Sequence, residues 1–388
     1  MANSRPRIQR LSPLTTRRNA GFSLVEILIS VVIGLIGILM MTQMTANWET
    51  RKRSSTSAGD AQISGSIALY RLEQDIRQAG FGFGTSANVG CTVTAYDSNR
   101  TTPAFNFPMV PLAINDGAGG APDTITVLYG DSSTMSGDLS FTSSTSTSKR
   151  TKTRNGISKG ELLIAVQNAV TCGLIEITDN TDADNLTINH NSGNYVDAQG
   201  VAATARYNAA GGLGIAFTNG TLYNMGLAPR NNVWQINIDA LESRNELNLT
   251  GDGDDDWVQV ADGIINLQAV YGLDTNNDTI IDTWQATAPG AWSTVRAVRI
   301  ALLARGQQYE KAAVYRYPDG SLPNDCTAAT VPPCTPAAPA WAGGDFVMTN
   351  LDGTADSNPG DANDWRHYRY RVYETVIPLR NMVWGTAP

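Results

Sequence analysis

The sequence predicts an α+β fold in which one long N-terminal helix packs on an antiparallel β-sheet of an enlarged, loop-rich C-terminal domain. Two observations predict this fold. An apolar run that begins at Phe22 continues into a segment of helical periodicity that ends near Ala79. Beyond Gly84, short apolar or alternating runs are separated by Gly, Asn, Asp, Ser and Pro, which is typical of strands joined by turns. A chain of 388 residues is long enough to bury a sizeable core of this kind.

The N-terminal region is predicted to be a basic leader followed by a membrane helix. Residues 1–21 contain five arginines and no acid, and residues 22–46 carry Glu26 as their only charge. The second run is long enough to cross a bilayer, and the positive-inside rule places the leader in the cytoplasm. A secretory signal peptide is the rival interpretation, but no small-residue cleavage site follows the apolar run. A plain signal anchor is the simpler alternative, and it leaves Gly21, Phe22 and Glu26 unexplained.

The stretch GFSLVEILIS, residues 21–30, resembles the class III signal of type IV pilins and type II secretion pseudopilins. In that family a prepilin peptidase cuts after a glycine on the cytoplasmic side and methylates the new N-terminal residue. The resemblance implies cleavage between Gly21 and Phe22 and methylation of Phe22. It also implies that Glu26 is the family's acid at the fifth mature position.

The expected role of Glu26 follows from the cost of a charge in a membrane, which is roughly 2.5–3.5 kcal/mol on insertion scales. Cleavage would give Phe22 a free amino group, and an amine attracts a carboxylate strongly in a low dielectric. We expect the amine of one subunit to pair with Glu26 of a neighbour and to fix the register of the packed helices. An intrachain pair, or a carboxylate that reaches the membrane interface, is the alternative.

Residues 47–79 are predicted to continue the helix as an amphipathic segment, and residues 80–388 to form a β-rich extracytoplasmic domain. Gly80 is the expected stop signal of the helix. The apolar face that should pack on the sheet recurs at helical spacing and consists of Ala61, Gly65, Ala68, Leu69, Leu72, Ile76 and Ala79.

Seven segments have the alternating or continuous apolar pattern of strands, and the Ser/Thr-rich stretch 131–156 is predicted to be a loop. Residues 295–305 and 367–379 are expected to form a central antiparallel pair, with charges on one face and apolar side chains on the other. The seven strand segments are Thr124–Tyr129, Glu161–Val166, Gly173–Thr178, Val233–Ile238, Ile265–Leu273, Val295–Arg305 and His367–Leu379.

The stretches VRAVRIALLARG (295–306) and RYRVYETVIPLRN (369–381) resemble the PilW-like minor pilins. This resemblance implies a minor pilin that co-assembles with other minor pilins, initiates type IV pilus assembly and sits at the pilus tip. Its implied partners are other minor pilins, the major pilin, the prepilin peptidase, the inner-membrane assembly platform and a large tip adhesin. Its implied location is the bacterial inner membrane before assembly and the extracellular pilus afterwards.

Two other functions within or beside this family stay open at the level of sequence. One is a J-type minor pseudopilin of a type II secretion system, and the other is a tip-located adhesin or binding module. Motility, adhesion and DNA uptake are each compatible with the residues. A deletion that abolishes pili would favour a priming subunit, whereas a pure adhesin mutant would still make pili.

Composition and motifs argue against two further classes of function. The net charge of −8 does not suit a protein that binds nucleic-acid phosphates, so no nucleic-acid partner is predicted. The chain has two histidines and lacks GxSxG, P-loop and dinucleotide-binding fingerprints, so no enzyme activity is predicted and no cofactor is required.

Four cysteines suit two disulfides in an exported domain, which faces an oxidising compartment. Three connectivities exist. Because Cys326 and Cys334 enclose only a short, proline-containing loop, we expect the pairs Cys326–Cys334 and Cys91–Cys172. A zinc site is a poor rival because no CxxC occurs, and free thiols are the remaining alternative.

A structural calcium ion is one interpretation of the stretch DTNNDTIIDTW, residues 274–284. Its candidate oxygen ligands, which are spaced as in the front half of a calcium loop, are Asp274, Asn276, Asp278, Asp282 and the carbonyl of Ile280. Thr279 replaces the glycine that such a loop usually has at its sixth position, and Gln285 replaces the bidentate glutamate at the twelfth. A polar turn with side-chain hydrogen bonds is the alternative.

Overall fold

The computed structural model of the chain describes residues 21, 23–83, 88–133, 139–153, 156–168, 171–181, 184, 186–310, 314–315, 338–351 and 363–383. The chain divides into two compact units, residues 1–55 and residues 56–388. Helix α1 (Leu24–Ile76) provides the described secondary structure of the first unit and enters the second. Residues 1–20 of the predicted leader, Phe22, Cys326 and Cys334 lie outside the described residues.

The strands of the second unit follow α1 along the chain. Those of its first half are β1 (Thr92–Tyr96), β2 (Ala104–Pro108), β3 (Leu112–Asn115), β4 (Thr124–Tyr129), β5 (Leu139–Ser144), β6 (Ser148–Thr151), β7 (Leu162–Gln167), β8 (Thr171–Glu176), β9 (Thr187–Asn189), β10 (Asn194–Val196) and β11 (Ala202–Thr204). Those of its second half are β12 (Gly220–Gly226), β13 (Arg230–Asn237), β14 (Ala240–Asn245), β15 (Val258–Asp262), β16 (Ile264–Leu273), β17 (Thr283–Gln285), β18 (Val295–Arg305), β19 (Ala340–Trp341), β20 (Gly344–Asp345) and β21 (Tyr370–Pro378), before the short helix α2 (Arg380–Val383).

Within the described residues these strands form three larger sheets. The large sheet has the order β2-β1-β8-β7-β12-β5-β6-β9, the middle sheet β15-β14-β13-β4-β3, and the C-terminal sheet β17-β16-β18-β21. The neighbours β1 and β8 run parallel, and the other paired strands run antiparallel. The α+β fold predicted from the sequence is therefore confirmed, with one parallel pair in a mostly antiparallel arrangement.

The second part of α1 packs on the middle and C-terminal sheets together. Its buried side chains belong to one apolar core with strand residues of both sheets, among them Ile125, Leu267 and Ile300. The face predicted from the sequence is the buried one, with Leu69 half-buried at its margin. Burial of such a stripe supplies most of the stability of a helix on a sheet.

Two glycines show why the helix lies and ends where it does. A Cβ added to Gly65 would lie 2.1 Å from ring carbon Cε2 of Tyr373, so only glycine allows β21 to approach the helix this closely. The helix ends at Ile76, a few residues before the predicted end at Ala79, and a turn follows in which Gly80 has φ of 78°. That left-handed conformation is the usual reason for glycine after a helix.

The Ser/Thr-rich stretch 131–156 was expected to be a loop, and the structure corrects this prediction. It contains β5 and β6, which pair with each other in the large sheet. Leu139 and Phe141 of β5 are buried in an apolar core that is separate from the one under α1. Threonine, which is frequent here, has a high propensity for strands. Burial of two apolar residues at strand spacing therefore stabilises a strand here in spite of the low-complexity composition around them.

The predicted pair of the two C-terminal strand segments is present as β18 and β21, but the expected division of faces is wrong for β18. Ile300 and Leu302 of β18 face the core under α1. Ala301 and Leu303 on the opposite face are also buried, because Phe346 and its neighbours cover them. The strand is thus buried on both faces, and its partner β21 forms the edge of the sheet.

Candidate functional site

The N-terminal end of α1 is the first candidate site. Ser23 precedes the helix, and its carbonyl oxygen accepts the first helical hydrogen bond from the N–H of Ile27 at 3.2 Å. Glu26 lies in the first turn, where the helix dipole favours a negative charge. Its side chain is exposed, and the side-chain hydroxyl of Ser30 donates to the Glu26 carbonyl rather than to the carboxylate.

The surface around Glu26 is apolar over many turns of the helix. Leu24, Val25, Ile27 and Leu28 are all more than half exposed. The most apolar 18-residue window of α1 has a mean hydropathy of 2.7, so the helix is long and apolar enough to cross a membrane. A carboxylate at the head of such a surface is the one charged group that a neighbouring helix in the membrane would meet.

The chain itself offers few cations that could neutralise Glu26. Between Arg18 and Arg51 the sequence contains no lysine or arginine. Among the described residues, no side chain forms a hydrogen bond or an ion pair with the Glu26 carboxylate. The arrangement is therefore suited to a cation that arrives from outside this segment, such as an amino terminus exposed by processing.

The structure contains the expected Cys91–Cys172 disulfide, with a Cα–Cα distance of 6.3 Å. Cys91 precedes β1 and Cys172 lies in β8, so the bond joins the two strands that run parallel in the large sheet. Both sulfur atoms are buried in the core on one side of that sheet. The second expected pair, Cys326–Cys334, lies outside the described residues and stays a prediction.

The candidate calcium loop connects β16 to β17, and its carboxylates are engaged by donors within the protein. The Asp274 carboxylate is buried and accepts from Nε of Arg296 at 2.9 Å and from the N–H of Thr279 at 3.0 Å. Oδ2 of Asp282 accepts from the N–H and the hydroxyl of Thr275, each at 2.7 Å. Arg296 is the residue that sequence reasoning missed here, because it lies on a different strand.

The backbone of this loop nevertheless has one property of a calcium loop. Thr279 has φ of 73°, the left-handed conformation for which glycine is expected at the sixth position. Asn276 and Asp278 hydrogen-bond to each other, and Ile280 is exposed. Among the described residues, no group of three or more His, Cys, Asp or Glu side chains is arranged to hold a metal ion. Calcium binding stays a prediction, which a calorimetric titration with calcium would test.

A third feature, which the sequence did not predict as special, is a buried carboxylate near the end of α1. Asp75 accepts hydrogen bonds from the Tyr129 hydroxyl at 2.6 Å, from Nε1 of Trp234 at 2.6 Å and from Nδ2 of Asn232 at 3.0 Å. The acid lies between the apolar positions Leu72 and Ile76. This charged residue beside the apolar face was the one feature of the sequence that could have indicated a buried carboxylate. It fastens the end of the helix to the middle sheet.

Comparison with known proteins adds two family matches. Residues 235–381 match the family described as Type IV Pilus-assembly protein W, and residues 16–42 match the Prokaryotic N-terminal methylation motif. Among solved structures, a type IV-like pilin from Thermus thermophilus matches with 11% sequence identity and a TM-score of 0.32, over 82% of this chain and 95% of that chain. The curated proteins contain no match. The two family matches fall on the segments that carry the prepilin motif and the β18–β21 pair.

Proposed function

We propose that this chain is a PilW-like minor pilin that co-assembles with other minor pilins to initiate type IV pilus assembly, which the two family matches support. We further place it at the pilus tip. The observation that carries the proposal is the position of the methylation motif, which contains Gly21, Phe22 and Glu26 and leads directly into the exposed apolar helix.

The mechanism requires packing and one charge pair, and no chemical step by the protein. Cleavage after Gly21 leaves the helix in the membrane and creates an amine on Phe22. That amine can reach Glu26 of an adjacent helix, where both charges are removed from lipid at once. Each unpaired charge is costly in this environment, so pairing favours the assembled state.

The size of the globular domain supports a position at the end of the filament. A subunit repeated along a helical filament must fit its domain between neighbours on every side. A subunit at the end has one free side. The large sheet and the covering segment at Phe346 both add to the bulk of this domain, which the free side at the end of the filament would accommodate.

The proposed charge pair is tested with Glu26→Ala in the full chain. We expect the variant to insert in the membrane at the level of the unchanged protein but to fall by at least about tenfold in sheared pili, the equivalent of about 1.4 kcal/mol. Glu49→Ala is the matched control, because Glu49 lies on the same helix and pairs with Arg53 at its exposed surface. Equal recovery of both variants in sheared pili would contradict the role of Glu26.

Two measurements separate this proposal from its alternatives. N-terminal sequencing of the processed protein should begin at a methylated Phe22, and another start residue would remove the donor of the pair. Deletion of the gene should abolish or strongly reduce surface pili. Normal pili with lost surface binding would favour an adhesin, and normal pili with lost secretion would favour a pseudopilin.

A further inference from the structure

A groove lies between the last turns of α1 and strand β15, and its position suggests a second binding function. It encloses about 490 Å³. Ile67 and Arg71 form its helix side, Val258 and Val260 form its strand side, and Trp234 contributes to its floor. All of these residues belong to the unit of residues 56–388.

The strand side of the groove is the edge of the middle sheet. Within the described residues, β15 pairs with β14 only, through contacts such as Val258 with Ser243. Edge strands of soluble proteins are normally protected by charged residues, by proline or by a covering segment. The first three residues of β15 are Val258, Gln259 and Val260, and Val258 is 62% exposed. The edge therefore presents backbone N–H and C=O groups beside the exposed side chain of Val258.

The charges of the groove favour an acidic occupant. Arg71 is exposed, and it forms no hydrogen bond or ion pair with any other described residue. Asp75, the acid next to it in the groove, is buried and accepts from three donor side chains, so it does not offer a free carboxylate. A guanidinium at a groove rim binds a carboxylate through charge-assisted hydrogen bonds.

We infer that this groove binds an extended, acidic segment of another exported protein, which adds a strand to the free edge of β15. An apolar side chain of that segment would contact Ile67 and Val258, and an acidic side chain would meet Arg71. Main-chain hydrogen bonds supply affinity in such strand addition, and the alternate side chains supply specificity. The inference goes beyond the proposed function, because neither the apolar segment of residues 22–46 nor Glu26 takes part.

A helix is a poorer occupant of the groove than a strand. The backbone groups of a helix are already bonded within the helix, so it would leave the edge of β15 unsatisfied. Binding of helix α1 from a second copy of this chain is the alternative outcome, and the test must be able to detect it. Three acids, Asp254–Asp256, precede β15, so the acidic side chain of the occupant is expected at the Arg71 end.

The test is site-specific photo-crosslinking of the full chain in its own membranes, with p-benzoylphenylalanine at position 258. The matched control carries the same group at Val196, which is 52% exposed on β10 in a separate two-stranded sheet. We expect an adduct at position 258 and little at position 196. Mass spectrometry should assign the captured peptide to a segment of alternating apolar and polar residues that contains Asp or Glu.

Charge dependence provides the second readout. In the chain with the crosslinker at position 258, Arg71→Gln should lower the adduct by about tenfold, as expected for a lost charge-assisted hydrogen bond. Arg77→Gln is the control, since Arg77 is exposed directly after the end of the same helix but pairs with Glu73. The inference is overturned by the absence of an adduct, by equal adducts at positions 258 and 196, by a captured helical peptide such as α1 of a second copy, or by equal effects of the two arginine substitutions.

Discussion

Asp123 is a buried carboxyl group that ties the connection before β4 to strand β16. Only 1% of the residue is exposed, and its two oxygens accept from the N–H of Gly117 at 2.9 Å and the N–H of Ala269 at 2.7 Å. Burial raises the pKa of this group to about 6, with Asp116 as a smaller cause and the two backbone N–H groups opposing the shift. A raised pKa means that the folded state binds the proton more tightly than the unfolded state does.

The pKa of Asp123 predicts a specific pH dependence. Its contribution to the free energy of unfolding is fully present below about pH 3.9, the unfolded value, and is lost as the pH rises through about 6. Asp123→Asn should abolish this dependence and lower the free energy of unfolding by about 1–3 kcal/mol. The single amide oxygen can replace only one of the two carboxylate oxygens that accept a backbone N–H. Urea unfolding of the detergent-solubilised chain between pH 4 and 7 measures both effects. Asp255→Asn, at an exposed acid, is the control, and an unchanged slope in Asp123→Asn would refute the assignment.

Lys149 is a buried amine without a carboxylate partner among the described residues. It is 2% exposed, and its Nζ lies 2.9 Å from Nε2 of His190 and 3.2 Å from the carbonyl oxygen of Thr145. Burial lowers the pKa of Lys149 to about 8. Burial, and secondarily the charge of Lys149, lowers the pKa of His190 to about 3, so His190 is neutral near pH 7.

The lowered pKa of Lys149 predicts that the protein gains stability as the pH rises from about 8 to about 10.4, where the unfolded chain loses the same proton. Lys149→Met should stabilise the fold by about 1–3 kcal/mol at pH 7, since it removes a buried charge and keeps the length of the side chain. The advantage should vanish at alkaline pH. Thermal unfolding at pH 7 and pH 10 tests this, with Lys152→Met at an exposed position as the control. Destabilisation of Lys149→Met at pH 7 would show that the ammonium is better solvated than its burial indicates.

At the scale of elements, the end of α1 depends on one carboxylate. Asp75→Ala removes the acceptor for Tyr129, Asn232 and Trp234, which leaves the buried donors of Tyr129 and Trp234 unpaired at about 1–3 kcal/mol each. We expect a loss of about 3 kcal/mol or more and faster hydrogen exchange in the last turns of the helix. Glu73→Ala is the control on the same helix: it removes only the partly exposed ion pair with Arg77 and should cost less than about 1 kcal/mol. Similar losses in both variants would contradict the special role of Asp75.

The elements that sequence reasoning predicted well are those whose side chains have a single periodicity. The helical stripe around Leu72 is buried as expected, and the strands Thr124–Tyr129 and Val295–Arg305 begin and end where the pattern does. Beta strands β5 and β6 were missed because serine and threonine dominate their composition. The burial of both faces of β18 depends on Phe346, which is distant along the chain, and no local pattern reports such a contact.

The candidate site shows the same division between local and distant information. Gly21, Phe22 and Glu26 were predicted because they form one contiguous motif. The ion pair of Asp274 with Arg296 and the groove beside Arg71 could not be predicted, because each joins residues from separate elements. In both cases the missing information was which elements lie side by side in the fold.

At the scale of the whole molecule, the Cys91–Cys172 disulfide closes a covalent loop between residues with a sequence separation of 81. In the chain-entropy account, a loop of this length is worth about 4–5 kcal/mol, whereas the short loop between Cys326 and Cys334 would be worth about 2.5 kcal/mol. The double variant Cys91→Ser/Cys172→Ser should therefore lower the thermal midpoint far more than Cys326→Ser/Cys334→Ser. Because the bond between Cys91 and Cys172 joins the parallel strands β1 and β8, its removal should also make the large sheet accessible to protease at an earlier time than α1. Limited proteolysis with fragment identification tests this order, and equal protection of the large sheet in both double variants would show that its apolar core suffices without the bond.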